Sequence, residues 1–274
     1  MNKNTTSAVY ERGMTTLFAC QADQRFSYCM HVPGNYNNKL PIVVLMHGTH
    51  RRAFSYRDLF TQFSEEHGCI VMAPLFPAGI IEQGELSNYK FIKFHDIRYD
   101  HILLSMLDEV SGHYGCSNKK FFLFGFSGGA HFAHRFFYLH PERLVAVSIG
   151  APGMVTLLDR EQDWWCGVRD LEQQFGKSIN IEAMKSVSVQ MVIGAEDTET
   201  WEITIKPESR FWMPRVNEPG RTRLERMVSL KQSFEAAGLS VQHDIVPGIA
   251  HDGFSILEPV KKFFAGVLKE GKYD

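Results

Sequence analysis

The chemistry in this chain starts from Gly125-Phe126-Ser127-Gly128-Gly129, which follows a short apolar run, 121–124, and precedes an amphipathic, helix-like segment. A serine flanked by glycines between strand and helix is the sequence form of a nucleophile elbow. The small neighbours let the chain double back through strained backbone angles. A glycine-rich loop capping a strand would show the same five letters; the strand before and the helix after favour the elbow. A serine hydroxyl is a poor nucleophile until a base takes its proton, and imidazole suits that task near neutral pH. His251, in the loop Pro247-Gly248-Ile249-Ala250-His251-Asp252-Gly253, is the first candidate. His50, His131 and His134 are its rivals, but the last two lie four and seven residues past Ser127 and point along the following helix. An acid must hold the imidazole in one tautomer and stabilise its cation. Asp197 in Gly194-Ala195-Glu196-Asp197 fits, with Glu196 as runner-up; Asp252 is too close in sequence to His251 to reach Nδ1. The N–H of Gly128, at a helix N-terminus, is suited to receive a developing oxyanion, and the loop His47-Gly48-Thr49-His50 is placed to supply a second donor.

These residues need elements to position them. Strand-like runs are expected at 15–20, 25–32, 40–46, 69–73, 121–124, 144–149, 187–193 and 241–246. Helices are expected at 56–67, 96–114, 128–139, 221–237 and 254–268, with a shorter one near 168–175. The turn chemistry of 33–38 follows the second strand, residues 1–13 read as a polar tail, and 75–89 reads as a surface loop. Strand and helix alternate from residue 40 onward, which predicts a parallel sheet covered on both faces. Ligands of such sheets bind at the carboxyl ends of the strands, where His47-Gly48-Thr49, Ser127, Asp197 and His251 all fall.

With those motifs in the chain order Ser, Asp, His, the sequence from about residue 40 to its end resembles the α/β-hydrolase superfamily. The matching segments are His47-Gly48, Gly125-Phe126-Ser127-Gly128-Gly129, Gly194-Ala195-Glu196-Asp197 and Gly248-Ile249-Ala250-His251. Within it, the chain looks most like the esterase and polyester-depolymerase-like group. The resemblance implies an α/β-hydrolase fold over a single domain, 1–274, with a mostly parallel central sheet and helices on both faces. Insertions at about 154–186 and 199–220 would form a lid. It also implies Ser127, Asp197 and His251 as catalytic residues and Thr49 beside Gly128 in the oxyanion hole, with His50 the alternative to Thr49. The expected activity is hydrolysis of a small-molecule carboxylic ester through an acyl-enzyme. The same machinery could cleave amides, peptides or thioesters, or pass the acyl group to an acceptor other than water. A non-catalytic binding protein on this fold is the other class. Aspartate-dependent haloalkane and epoxide chemistry is disfavoured by a serine at 127.

Composition fits this reading. Hydrophobic residues make up 44% and charged residues 22%, and the net charge of -2 disfavours a general nucleic-acid binder. No apolar run reaches membrane-spanning length, and the five cysteines are scattered without metal or redox spacing. The expectation is a cytoplasmic protein with no cofactor and no metal site, acting on a small-molecule acyl substrate without nucleic acid or membrane. A homo-oligomer is compatible with the sequence. For the substrate pocket the candidates are His50, Trp164, Trp165 and Trp201, with the tryptophans forming the core of a lid as the equal alternative. Lys206, Arg210, Arg215, Arg221, Arg223 and Arg226 could clamp a carboxylate. Set among Glu208, Glu218 and Glu225, they are more readily a solvated face.

Overall fold

The structure, a computed structural model, describes residues 12–35 and 40–271. Most of the expected tail and residues 36–38 of the expected turn therefore lie outside the described residues. The strands are β1 (Gly13–Met14), β2 (Phe18–Ala19), β3 (Ser27–Val32), β4 (Ile42–Met46), β5 (Ile70–Leu75), β6 (Lys93–Phe94), β7 (Ile97–Arg98), β8 (Phe121–Phe126), β9 (Leu144–Gly150), β10 (Ser188–Gly194) and β11 (Val241–Val246). The α-helices are α1 (Ala53–Leu59), α2 (Thr61–His67), α3 (Tyr99–Tyr114), α4 (Gly128–Leu139), α5 (Leu171–Phe175), α6 (Ile181–Lys185), α7 (Arg223–Ala236) and α8 (Leu257–Glu270).

Nine strands form one sheet in the order β1-β3-β5-β4-β8-β9-β10-β11, with β2 also pairing to β3. Pairing is antiparallel at β1/β3, β2/β3 and β3/β5 and parallel from β5 through to β11. The central strands β4, β8 and β9 are buried along their whole length, because helices cover both faces and leave no polar side to alternate with. Adjacent residues of β8 show this directly. Phe121 packs against Phe136 of α4 at 5.6 Å, and Phe122 against Phe264 of α8 at 5.4 Å. The edge strand β11 is instead only part-buried.

Several expectations are corrected locally. The expected helix over 56–67 starts earlier and is two helices, because the chain leaves helical geometry at Phe60, whose ring is fully buried against Phe63. The helix expected from 96 begins at Tyr99. Lys93–Arg98 instead forms a β6/β7 hairpin, with His95 at φ 53° in its turn, a conformation no α-helix accepts. Of the expected strand over 15–20 only Phe18–Ala19, β2, is strand; β1 lies just before that span at Gly13–Met14. The supposed surface loop before residue 90 ends in a 3-10 turn, Asn88–Phe91, whose Asn88 and Tyr89 are almost wholly buried.

Two glycines make the centre of the sheet work. A Cβ on Gly125 would run into the Gly129 carbonyl, and one on Gly129 into the carbonyls of Met46 and His47. Helix α4 therefore starts in direct backbone contact with the end of β4. Gly129→Ala should lower stability by about 1–3 kcal/mol or more, since fixed backbone atoms would have to move. Gly266, exposed within α8 with nothing near its Cβ position, should behave oppositely. Gly266→Ala is expected to raise stability by about 0.5–1 kcal/mol. Urea midpoints of the two variants test the pair.

Candidate functional site

Ser127 stands between β8 and α4 with φ 53° and ψ −113°, outside the regions that side-chain-bearing residues normally occupy. Its N–H is held by the Gly150 carbonyl at 2.8 Å, at the end of neighbouring β9. A Cβ on Gly48 would lie 3.7 Å from the Ser127 Cβ, so the His47-Gly48 turn leaving β4 comes up directly beside the serine.

His47 fixes that turn. Its Nε2 accepts the Phe76 N–H at 3.0 Å, which leaves Nδ1 as the donor to the Gly48 carbonyl at 2.8 Å. Complete burial pushes its pKa down to about 3, so the ring stays neutral as both bonds require. The Tyr89 hydroxyl donates to the His47 carbonyl at 2.9 Å, and Arg51 donates to the Thr49 carbonyl at 2.6 Å. Thr49 is thus delivered to Gly128: a Cβ on Gly128 would sit 3.2 Å from Thr49 Oγ1. The Gly128 amide, in the first turn of α4, has no carbonyl of its own helix to bind.

The other two motifs meet on the far side of the serine. Ala195 N–H donates to the Val246 carbonyl and Glu196 N–H to the Ile249 carbonyl, both at 2.8 Å. These bonds strap the loop after β10 to the loop after β11. Asp197 is buried there, and its Oδ2 accepts from His251 Nδ1 at 2.6 Å. The alternative acids make no such contact. Glu196 is exposed, and Asp252 accepts from Ser255 and from the Phe254 N–H. The His251 ring packs over Phe126, the residue before the serine, with ring centroids 4.6 Å apart. With Nδ1 on the carboxylate, Nε2 is the nitrogen left for proton transfer.

The rival histidines of α4 are occupied elsewhere. His131 Nε2 accepts the Met154 N–H at 2.8 Å, and His134 Nε2 accepts the Thr156 N–H at 3.1 Å. Burial lowers both well below the usual range. They are struts for the chain leaving β9.

Ser127, His251, Thr49 and His50 all line one cavity of about 640 Å³, together with Trp201, Ile203, Ile205 and Phe211 from the second insertion. Trp164 and Trp165 do not line it. They join Met154, Cys166 and Val216 in a small separate core where the two insertions pack on each other and on Phe91. The buried guanidinium of Arg135 lies 5.4 Å over the Trp165 ring and 4.7 Å over Phe91. Of the pocket tryptophans expected from sequence, only Trp201 reaches the cavity.

The arginine-rich stretch is likewise divided. Arg210 is bound to Glu82 and Glu85, and Arg215 to Glu218 and Asp159, so neither is free to clamp a substrate. Arg223 and Arg226 are buried, not solvated. Arg226 donates to the carbonyls of Gly153, Ile203 and Gly220. Arg223 donates to Asp197 Oδ1 at 3.2 Å and to Glu202 at 2.6 Å, which makes it the second anchor of the buried carboxylate. Sequence reasoning missed Arg223 in this role and missed Tyr89 and Lys90 altogether. The Thr222 that caps α7, placing Arg223 in its first turn, is the local signal that could have singled it out.

Among the described residues, Asp100, His101 and His140 are the one cluster with metal-ligand spacing. Asp100 already binds Arg98 and His140 at 2.6 and 2.8 Å, a closed ion-pair network that does not line the cavity.

No protein-family model and no curated protein matches the sequence. Solved structures do. A poly(3-hydroxybutyrate) depolymerase, LpqC, from Bordetella parapertussis superposes with a TM-score of 0.72 at 22% identity, over 96% of this chain and 92% of that one. Poly(aspartic acid) hydrolase-1 from Sphingomonas sp. KT-1 gives 0.70 at 19%, over 92% and 98%. The S-formylglutathione hydrolase of Agrobacterium tumefaciens gives 0.57 at 15%, over 89% of each chain. The fold is that of the α/β-hydrolases. In this α/β-hydrolase-fold chain, no helix among the described residues is long and apolar enough to cross a membrane.

The neutral histidines carry a pH signature. Buried imidazoles with lowered pKa bind no proton when folded, whereas the unfolded chain takes one up below about pH 6.5. Their effect is absent above that pH and grows as pH falls toward the folded value. Stability should therefore fall between pH 7.5 and 5.5, with His47, His131 and His134 each contributing in that direction. Urea unfolding of wild type and His134→Gln at both pH values checks this, with the slope reduced by one histidine's share in the variant.

Proposed function

We propose that the protein is a serine hydrolase that cleaves a small-molecule carboxylic ester through an acyl-enzyme. The observation that carries this is the 2.6 Å bond from His251 Nδ1 to the buried Asp197, in a cavity that Ser127 also lines. Ser127 Oγ attacks the ester carbonyl while its proton passes to His251 Nε2. Asp197, held in turn by Arg223, stabilises the imidazolium that forms. The carbonyl oxygen becomes an alkoxide bound by the backbone N–H groups of Gly128 and Thr49. Collapse expels the alcohol, which takes the proton from His251, and leaves an ester on Ser127. Water then enters, gives a proton to His251 and attacks the acyl carbon; the bond to Ser127 Oγ breaks, Oγ takes the proton back from His251, and the acid is released.

Esters are favoured over amides as substrates because four of the structurally similar proteins bear esterase or ester-polymer names: the depolymerase, a thermostable esterase, a ferulic acid esterase and an acetyl xylan esterase. The two insertions, sharing one core and presenting Trp201, Phe211 and Ile205 to the cavity, act as a lid over the acyl site. All five cysteines are free and buried, which suits a reducing cytoplasm.

A fluorophosphonate probe should label folded protein at Ser127, located by mass spectrometry of the modified peptide. Labelling elsewhere only, or none at neutral pH, would move the protein to the non-catalytic class. Asp197→Asn should retain the fold and lower kcat on a 4-nitrophenyl ester by roughly 10⁴-fold, through the wrong tautomer of His251. A panel of ester, thioester and anilide substrates then orders the bond types.

A further inference from the structure

Five charged side chains line the cavity: Arg52, Lys90, Glu202, Arg223 and Asp252. Four of them are accounted for. Arg223 binds Asp197 and Glu202, which settles two of the charges inside the protein. Asp252 accepts from Ser255 and Phe254, and Arg52 is exposed at the rim over the Phe254 ring.

Lys90 is different. It is only 8% exposed, yet among the described residues its ammonium has one hydrogen-bond partner, Ser87 Oγ at 3.3 Å, and no carboxylate within ion-pair distance. A cation taken out of water without a counter-charge is costly, and chains normally avoid it. Its position is equally specific. A Cβ on Gly128 would meet the Lys90 Cε at 2.8 Å and Thr49 Oγ1 at 3.2 Å, so the lysine stem lies against the glycine that follows Ser127. The backbone of Lys90 is held there by Arg135, which donates to its carbonyl at 2.6 Å.

We propose that Lys90 is a binding site for a carboxylate on the substrate, so that the preferred esters are anionic. The bound carboxylate supplies the missing counter-charge, and the acid is joined to the scissile ester by a chain short enough to keep both groups in one cavity. Around the ammonium, burial and the cations Arg51, Arg135 and Arg223 bring the pKa down to about 8, against the opposing pull of Glu202. The lysine is therefore charged below that pH and loses its charge above it, which gives wild-type protein a readout of its own.

This inference rests on the hydrolase reading, and the experiment separates the two. Rates are compared for mono-4-nitrophenyl glutarate against 4-nitrophenyl pentanoate, and for 4-acetoxybenzoate against phenyl acetate. The first pair carries the carboxylate on the acyl group and the second on the leaving group. For at least one pair, kcat/KM of the acid is expected to exceed that of the neutral ester by about tenfold or more, the size of a hydrogen bond to a charged group. That ratio should fall as pH rises through about 8 in wild type, vanish in Lys90→Met and be largely kept in Lys90→Arg. Any pH effect on the hydrolytic step common to both members of a pair cancels in the ratio. No preference in either pair, or a preference that survives Lys90→Met, overturns the proposal. An equal loss on acid and neutral esters also overturns it and makes Lys90 a support of the oxyanion hole instead. Calorimetry on Ser127→Ala with monomethyl glutarate and 4-acetoxybenzoate needs no turnover. Binding abolished by adding Lys90→Met sustains the anion site even if no ester is cleaved. Binding indifferent to that change, beside normal ester turnover, removes the anion site and leaves the hydrolase.

Discussion

The close approach of helix α4 to the ends of β4 and β8 is the constraint on which the rest of the molecule turns. Backbone meets backbone there, with Gly125 and Gly129 leaving no room for a side chain. A serine at φ 53° is held against a conformational penalty of about 1–3 kcal/mol, which persists only where the surroundings over-determine it. Here they do. Ser127 is tied to β9 through the Gly150 carbonyl, and every residue of α4 is buried, so the helix cannot shift to relieve the angle. The same contact carries the His47-Gly48-Thr49 turn to the side of Gly128. One packing decision thus places the Ser127 hydroxyl, the first amides of α4 and the Thr49 turn side by side.

Buried cations organise the space above the sheet. Arg135, Arg223 and Arg226 are nearly inaccessible to water, and each has been given different compensation. Arg135 uses the Lys90 carbonyl, Thr156 Oγ1 and aromatic faces. Arg226 uses backbone carbonyls from three segments, including both ends of the second insertion's contact with the strand ends. Arg223 uses two carboxylates, one of them the acid beside His251. These guanidiniums suit the task because each offers five donors in a rigid fork and can join several chain segments at once. Lys90, with a point charge and one hydroxyl for company, stands apart from them.

The insertions illustrate how an aromatic-rich segment divides its labour. Trp164 and Trp165 are adjacent in sequence and equal in composition to any pocket wall, yet they pack into the joint between insertions. Trp201, in the more open second insertion, stays 73% exposed at the cavity. Beside the strand-end loops, the cavity is therefore lined by the second insertion and by Lys90 of the turn at Asn88–Phe91, a stretch whose Gly- and Pro-rich approach gives no hint of burial.

The apolar runs at 40–46, 121–124 and 144–149 could be read as buried parallel strands because their hydrophobicity is continuous, and that pattern depends only on which residues are adjacent. The Gly-x-Ser-x-Gly turn, the Asp197 loop and the His251 loop were legible for the same reason: each is a local motif at a strand end, and the topology of a parallel sheet brings strand ends together. The break at Phe60 and the hairpin at Lys93–Arg98 were not legible, since both answer to burial and pairing elsewhere in the chain. Nor were the roles of Arg223 and Lys90. A charged residue looks the same in sequence whether water or a carboxylate satisfies it, and only the folded chain decides which partner lies within reach. By itself the sequence determined the order of the buried parallel strands, the main helices between them and the three motifs they deliver. The tertiary structure decided which charges are paired, which aromatic residues face the cavity and that the Lys90 ammonium has one hydroxyl and no carboxylate beside it, because those outcomes depend on distances between residues far apart in the chain.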